Sequence, residues 1–161
     1  MRKLLYLLVL ALMPMCFTAC GGDDNENNDK GSVSGNPIDL VTKGDINLSY
    51  LSGTWNRNYF AYYVNNQFHH GGLYDESDNS QYTFGPGESA VYYFKNSKGS
   101  NTYVADRYYI DNKNGKSRIY LEKDERSSYV GDIYALTENK LVLEHENGEE
   151  KTLYLYIKKN N

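Results

Sequence analysis

Residues 134–158 read YALTENKLVLEHENGEEKTLYLYIK and hold three short apolar runs separated by two polar turns. The second turn is Asn147-Gly148, and Asn-Gly between apolar runs is the strongest short signal for a β-hairpin, because both residues accept positive φ. The first turn, residues 137–139, also has turn composition. The stretch therefore predicts three consecutive antiparallel strands, at residues 129–136, 140–145 and 150–158.

The last of these strands has two different faces. Leu153, Leu155 and Ile157 alternate with Tyr154 and Tyr156, and alternate residues of a strand share a face. We expect the aliphatic face to point into the core and the tyrosines to lie outside.

The same pattern continues towards the N-terminus. A second pair, Asn114-Gly115, predicts a hairpin between one strand at 102–111 and its partner at 117–123. Further aromatic runs predict strands at 54–64, 67–75, 81–84 and 90–95. Roughly eight or nine strands without a convincing helix predict an all-β fold: an antiparallel up-and-down β-barrel of about eight strands, or alternatively a β-sandwich.

The N-terminus has the three parts of a secretion signal. Arg2-Lys3 is basic, residues 4–13 are apolar, and Phe17-Thr18-Ala19-Cys20 resembles the bacterial lipobox. We predict that residues 1–19 are a lipoprotein signal peptide and that Cys20 is cleaved free and lipidated. A protein carrying two or more acyl chains is held firmly at a membrane.

The segment after Cys20 has the composition of a flexible tether. Residues 20–47 are rich in Gly, Asn, Asp and Ser, and a Gly-Gly pair followed by like charges is typical of a solvated chain. Gly21-Gly22-Asp23-Asp24 resembles the acidic tract that directs lipoproteins of Bacteroidota-type bacteria to the outer face of the outer membrane. We expect lipid-anchored display at the cell surface, with one domain at residues 48–161.

Charge and cysteine content exclude several classes of function. Without Arg2 and Lys3, 15 basic residues face 21 acidic ones, a net charge of −6. That balance argues against nucleic acid, whose binders carry basic patches. Cys20 is the only cysteine after cleavage, so the mature domain has no thiol nucleophile. We find no catalytic constellation and no cofactor motif, and we expect a non-enzymatic, monomeric protein.

Two segments resemble the lipocalin-like domains of Bacteroidota-type lipoproteins. Gly53-Thr54-Trp55 matches the Gly-x-Trp motif that opens the first lipocalin strand, and residues 134–158 match the closing hairpin and final strand. The Thr-Asp-Tyr-like turn of true lipocalins is absent. The resemblance implies that Trp55 plugs the closed end of a barrel, that Gly53 permits close approach there, and that Lys158 is the candidate for a basic residue over Trp55.

Tyrosine and arginine side chains are the candidate contact residues. The chain has 17 tyrosines, and tyrosine rings stack on sugars and apolar ligands and are common at interfaces. Tyr62, Tyr92, Arg107 and Tyr108 could contact a ligand or a surface, with Arg107 expected to be exposed. Two functions stay open: a barrel that binds a small apolar or amphipathic ligand, or a solid barrel that contacts a protein or glycan through exposed tyrosines.

Two segments contain histidines close to acidic residues, a combination that can bind a metal ion. His69-His70 lies near acidic residues, but adjacent strand residues point to opposite faces, so both imidazoles would reach one metal only in a loop. Glu144-His145-Glu146 is expected to be a solvated hairpin tip. The sequence therefore predicts no metal site.

Overall fold

The computed structural model describes residues 43–75, 77 and 79–160. Most of them lie in ten strands: β1 Gly53–Val64, β2 Gln67–Leu73, β3 Asn79–Phe84, β4 Ala90–Asn96, β5 Gly99–Ala105, β6 Arg107–Lys113, β7 Lys116–Lys123, β8 Arg126–Leu136, β9 Lys140–Asn147 and β10 Glu150–Lys158. Single 3-10 turns lie at Leu48–Tyr50 and Pro86–Glu88. The predicted signal peptide, Cys20 and the tether as far as residue 42 lie outside the described residues. The structure corrects the predicted end of the tether at residue 47, because the backbones of residues 44, 45 and 47 are hydrogen-bonded to residues 134 and 136 of β8.

The ten strands form one antiparallel sheet. Its hydrogen-bonded order is β5-β4-β3-β1-β10-β9-β8-β7-β6, and β2 pairs with the second half of β1. The two edge strands of this order, β5 and β6, are joined in the chain by the single residue Asp106. The sheet therefore has to curl until its edges meet at Asp106. The predicted all-β, barrel-like class is confirmed, and one continuous sheet replaces the two-sheet sandwich kept as the alternative.

The corner at Asp106 corrects the prediction of one strand over residues 102–111. The Asp106 backbone N–H donates to the Glu122 carbonyl at 2.8 Å. Its carboxylate accepts from the backbone N–H of Asp124 at 2.9 Å. These two bonds hold the residue between β5 and β6 against the end of β7 and the turn that follows it. The continuous aromatic run conceals this corner, because the partners of Asp106 lie on a distant turn.

Several hairpin turns have the backbone that their residues favour. Asn65 and Asn66 have φ of 51° and 61°, and Asn114 and Gly115 have φ of 55° and 72°. Positive φ at both central residues belongs to the type I′ turn, whose twist suits a two-residue hairpin. Gly148 also has positive φ, at 63°. The hairpin predicted at Asn114-Gly115 is confirmed. The last hairpin is confirmed too, with its turn one residue later than predicted, at Gly148 and Glu149 between the paired Asn147 and Glu150.

Aromatic rings fill the interior of the curled sheet. Tyr82 stacks on Tyr92 with ring centroids 4.6 Å apart, and Phe84 meets Tyr108 edge-on at 5.0 Å. Trp55 is fully buried in the same cluster. The rest of the buried cluster is mainly aliphatic: Leu51, Ala90, Ala105, Ile119, Leu121, Val130, Ile133, Leu136, Leu141, Leu143 and Tyr156.

The two faces of β10 are the reverse of the prediction. Tyr156 is 4% exposed and packs inside with Trp55, whereas Leu153 and Leu155 belong to a second buried cluster on the other side of the sheet. Both faces of this strand are therefore apolar and buried. Periodicity separates the two faces of a strand, but it does not identify the inner face when both are apolar.

Gly53, Trp55 and Lys158 lie together where β1 begins and β10 ends. Gly53 has a φ of +131°, and a Cβ there would lie 2.5 Å from Lys158 Cε. The Trp55 indole N–H donates to the Leu51 carbonyl at 2.7 Å. Lys158 Nζ lies 5.0 Å from the centre of the Trp55 ring. The structure thus places a lysine over the tryptophan, as the sequence suggested, and the glycine makes room for it.

Candidate functional site

The four candidate contact residues do not form one site. Tyr92 and Tyr108 pack against the interior cluster, so their rings serve the core. Arg107 is exposed, as expected, and its guanidinium donates to both carboxylate oxygens of Glu122 at 2.9 and 3.0 Å. Tyr62 lies on the β1–β2 hairpin, where burial and the Glu150 carboxylate raise its pKa.

Arg57, on β1, places a positive charge beside aromatic rings at the interior of the sheet. Its guanidinium lies 3.6 Å from the centre of the Tyr74 ring. It faces Tyr156 across the β1–β10 pair. A guanidinium over a tyrosine face gains cation–π stabilisation, which is larger when both groups are desolvated.

A groove on the outer face of β7, β8 and β9 brings together side chains of which the sequence analysis named only Glu146. Its volume is about 320 Å³, and its lining residues are Lys116, Arg118, Tyr120, Tyr129, Asp132 and Glu146. We call it the charged groove. Lys116 and Arg118 alternate on β7, so they share a face, and Arg118 lies opposite Asp132 in the register.

Two buried carboxylates anchor the floor of the charged groove. Asp132 and Glu144 lie opposite each other on β8 and β9 and are only 5% and 6% exposed. Lys116 Nζ lies 3.2 Å from Asp132 Oδ2 and 2.9 Å from Glu144 Oε1, and Arg118 Nε lies 3.1 Å from Asp132 Oδ1. Buried charges need such partners because leaving water is costly for an ion.

The third carboxylate lies at the rim. Glu146 Oε2 is 2.7 Å from Lys116 Nζ and its side chain is 52% exposed. Lys116 lowers the pKa of Glu146, and Glu146, followed by Glu144 and Asp132, raises the pKa of Lys116 against the effect of burial. Lys116 therefore stays charged, and it holds three carboxylates at once.

The prediction that residues 144–146 form a solvated tip is wrong for Glu144 and His145. Glu144 is buried in the network, and burial lowers the pKa of His145. His145 packs edge-on against Tyr154 at 5.2 Å. The strand continues to Asn147, two residues beyond the predicted end, and so carries these side chains into the sheet.

Tyrosines form one wall of the groove and extend beyond it. Tyr109 stacks on Tyr120 with centroids 5.2 Å apart and planes 13° from parallel, and Tyr120 contacts Tyr129 at 5.7 Å. Tyr129 is 45% exposed, and its hydroxyl donates to the Glu144 carbonyl at 3.4 Å. Burial, followed by Asp132, raises the pKa of Tyr129. The groove thus offers aromatic surface beside fixed donors and acceptors.

The sequence contained a weak signal for this site. Asp132 and Glu144 each lie next to apolar residues of a predicted strand. A carboxylate that is buried with such residues needs a cation or hydrogen-bond donors as its partner. Finding the partner requires the register, and β8 carries irregularities against both β7 and β9. Such an irregularity changes which residues share a face. The alternation of residues along the sequence therefore does not predict that these charged side chains meet.

The His69-His70 pair lies within β2 and not in a loop. The β1–β2 register shifts between Tyr62, paired with His70, and Tyr63, paired with Phe68. The extra residue, His69, allows both imidazoles to approach each other. Among the described residues, no group of three or more His, Cys, Asp or Glu side chains is placed to hold a metal ion.

No protein-family model matches this chain, and no curated protein matches it. Within residues 43–160 as described, helices long and apolar enough to span a bilayer are absent.

Proposed function

We propose that this chain is a lipid-anchored surface protein whose barrel-like domain is filled by its own side chains and binds a neutral saccharide in the charged groove. One observation carries the proposal. A rigid outer face holds paired charges, two buried carboxylates among them, directly beside a row of tyrosine rings.

The chemistry of the groove suits a polyol. Every sugar hydroxyl is both a donor and an acceptor. Arg118 has four N–H groups besides the Nε–H that donates to Asp132, and these can donate to a sugar hydroxyl. Asp132 and Glu146 supply carboxylate acceptors. Bonds to charged partners are stronger than bonds between neutral groups. The Tyr120 ring offers an apolar face of the kind on which a sugar ring stacks.

Charge and size favour a small neutral ligand. Two cations, Lys116 and Arg118, face three carboxylates, Asp132, Glu144 and Glu146, so the network is nearly balanced. The one excess negative charge disfavours an anion, and both buried carboxylates already have a cationic partner, so a neutral ligand is favoured. A volume of about 320 Å³ is near the lower end of the range for ligand sites, which suits a short saccharide or one stretch of a longer glycan.

A small apolar ligand inside the barrel is the function that the resemblance to lipocalins implies. The interior positions that would line such a cavity hold partly buried aromatic rings that pack against the core, including Tyr82, Tyr92 and Tyr108. A barrel of about eight strands can either hold one small ligand or be filled by its own side chains. The packing supports the filled form, and therefore recognition from outside.

The location follows from the N-terminal sequence and belongs to the same proposal. A signal peptide at residues 1–19, lipid on Cys20 and the acidic tether that follows it would hold the domain at the outer membrane, facing outwards. Extracellular glycans would then be within reach of the charged groove.

The experiment is a glycan array probed with the full-length chain in mild detergent. We expect binding to neutral oligosaccharides that Tyr120→Ala abolishes. The control is Tyr93→Ala, which removes a half-buried tyrosine from β4, away from the groove. Equal binding by wild type and Tyr120→Ala, or no saccharide binding by the wild type, would contradict the proposal.

A further inference from the structure

We infer that His69 and His70 form a site for one divalent transition-metal ion of the copper–zinc group. The site lies on the β1–β2 hairpin and is independent of the charged groove. Its starting point is a single contact: His69 Nδ1 and His70 Nδ1 are 3.0 Å apart.

A β-bulge makes this contact possible. In a regular strand, neighbouring side chains point to opposite faces. Here β1 advances by one residue, from Tyr62 to Tyr63, while their partners on β2 are two residues apart, so His69 is the extra residue. Bulges redirect side chains in this way and are frequent beside functional sites. Gly71 follows, and a Cβ there would lie 2.6 Å from the Phe60 carbonyl oxygen, so the strand can run this close to β1 only with glycine.

The distance between the two nitrogens fits one shared cation. Imidazole nitrogens lie about 2.0–2.1 Å from zinc. If the angle between two such bonds at the metal is a right angle, the nitrogens are about 2.9 Å apart, and if it is tetrahedral they are about 3.3 Å apart. The contact of 3.0 Å between the Nδ1 atoms falls inside that interval. It also suits an N–H···N hydrogen bond, which the experiment distinguishes from metal binding.

The surroundings fix the two rings and leave a metal ion accessible. The His70 ring lies 5.0 Å from the Tyr62 ring and 5.8 Å from the Phe60 ring, and His69 lies 5.9 Å from Tyr62. Both histidines are exposed, so water can fill the remaining coordination positions. The Tyr62 side chain is hydrogen-bonded to Glu150, which brings a carboxylate towards the hairpin.

The ligand type selects the metal. Imidazole suits zinc, copper and nickel, whereas calcium and magnesium prefer oxygen. Affinity for nitrogen sites rises along the first-row divalent ions to Cu²⁺ and falls again at Zn²⁺. Cu²⁺ is therefore the most sensitive probe of the pair.

The test is titration of Cu²⁺, with glycine as a weak competitor, into the full-length chain carrying Cys16→Ser and Cys20→Ser, so that no thiol competes. Calorimetry should give one ion per chain. Electron paramagnetic resonance should show hyperfine splitting from two imidazole nitrogens. The double variant His69→Ala/His70→Ala should bind at least about tenfold more weakly, since loss of groups that only orient ligands already costs about 10–100-fold.

Gln67→Ala is the matched control, because it truncates an exposed side chain on the same strand and should leave Cu²⁺ binding unchanged. His145 remains in every sample, so binding that persists in the double variant belongs to the rest of the chain. Equal affinity in wild type and double variant would overturn the inference. A wild-type copper spectrum without nitrogen splitting would overturn it as well, and that readout does not depend on how the variant folds.

Discussion

Lys158 lies over the face of Trp55, with its ammonium 5.0 Å from the ring centre, and donates to the Tyr50 carbonyl at 2.8 Å. Trp55 is at the start of the first strand and Lys158 at the end of the last, and they are paired in the β1–β10 register. One side chain thus ties the two ends of the domain together over a fully buried indole.

Replacing this lysine should weaken the domain. Lys158→Met keeps the apolar stem but removes the charge over Trp55, so we expect the free energy of unfolding to fall by about 1–2 kcal/mol. Urea denaturation followed by tryptophan fluorescence measures it directly, because Trp55 is the only tryptophan. Lys159→Met is the control. If both variants lose the same stability, the contact with Trp55 contributes nothing.

Replacing Gly53 by alanine should destabilise the domain more than replacing Gly99, which has a similar backbone conformation but no neighbouring atoms. Gly53→Ala introduces an unfavourable φ of +131° and a Cβ 2.5 Å from Lys158 Cε. Gly99→Ala introduces the same kind of strain at φ +137° with no atom within 4 Å. Such backbone positions cost about 1–3 kcal/mol, and the excess loss for Gly53→Ala over Gly99→Ala measures the clash. Adding Lys158→Ala to Gly53→Ala should reduce that excess. An equal loss in the two single variants would show that Lys158 does not crowd Gly53.

The interior tyrosines should make the domain sensitive to alkali. Burial raises the pKa of Tyr82 and of Tyr156 above the ordinary value of 10.0. A raised folded-state pKa stabilises the fold fully below the unfolded pKa, and this stability is lost as the pH rises towards the folded value. The urea midpoint should therefore be steady near pH 8 and fall above about pH 10. Tyr156→Phe should flatten that fall, whereas Tyr93→Phe should leave it unchanged. A midpoint independent of pH up to about 11 would contradict the buried placement of these hydroxyls.

Lys116 should be the most sensitive residue of the charged groove. Lys116→Met leaves the buried Asp132 and Glu144 without their shared cation, and we expect a loss of about 2 kcal/mol, since solvent still reaches part of this site. Adding Asp132→Asn and Glu144→Gln should recover part of the loss.

The same variant has a spectroscopic signature. Without Lys116, the pKa of Glu146 should rise towards its ordinary value, which side-chain carbon NMR can follow. Lys113→Met is the control, because Lys113 is exposed and lies opposite Lys116 in the β6–β7 pair. An unchanged Glu146 pKa in Lys116→Met would show that the 2.7 Å contact does not form in solution.

Local chemistry made the fold class readable from the sequence. Positive φ at Asn114 and Gly115 follows from residue type alone, and so the hairpins could be located. The inner face of β10 could not be read in the same way, because Leu155 and Tyr156 are both buried, on opposite sides of the sheet. The corner at Asp106 and the pairing of Asp132 with Glu144 depend on residues brought together by the register, which composition does not encode.

The central claim is that the saccharide binds in the charged groove and not inside the barrel. The most direct test is fluorine NMR of the full-length chain labelled with 3-fluorotyrosine. Each signal is assigned with a Tyr→Phe variant. A neutral oligosaccharide that binds in the array is added during the measurement. We predict that the signals of Tyr120 and Tyr129 shift, while those of Tyr92 and Tyr108 inside the barrel stay in place. Shifts at Tyr92 and Tyr108 without shifts at Tyr120 and Tyr129 would place the ligand in the interior and contradict the account.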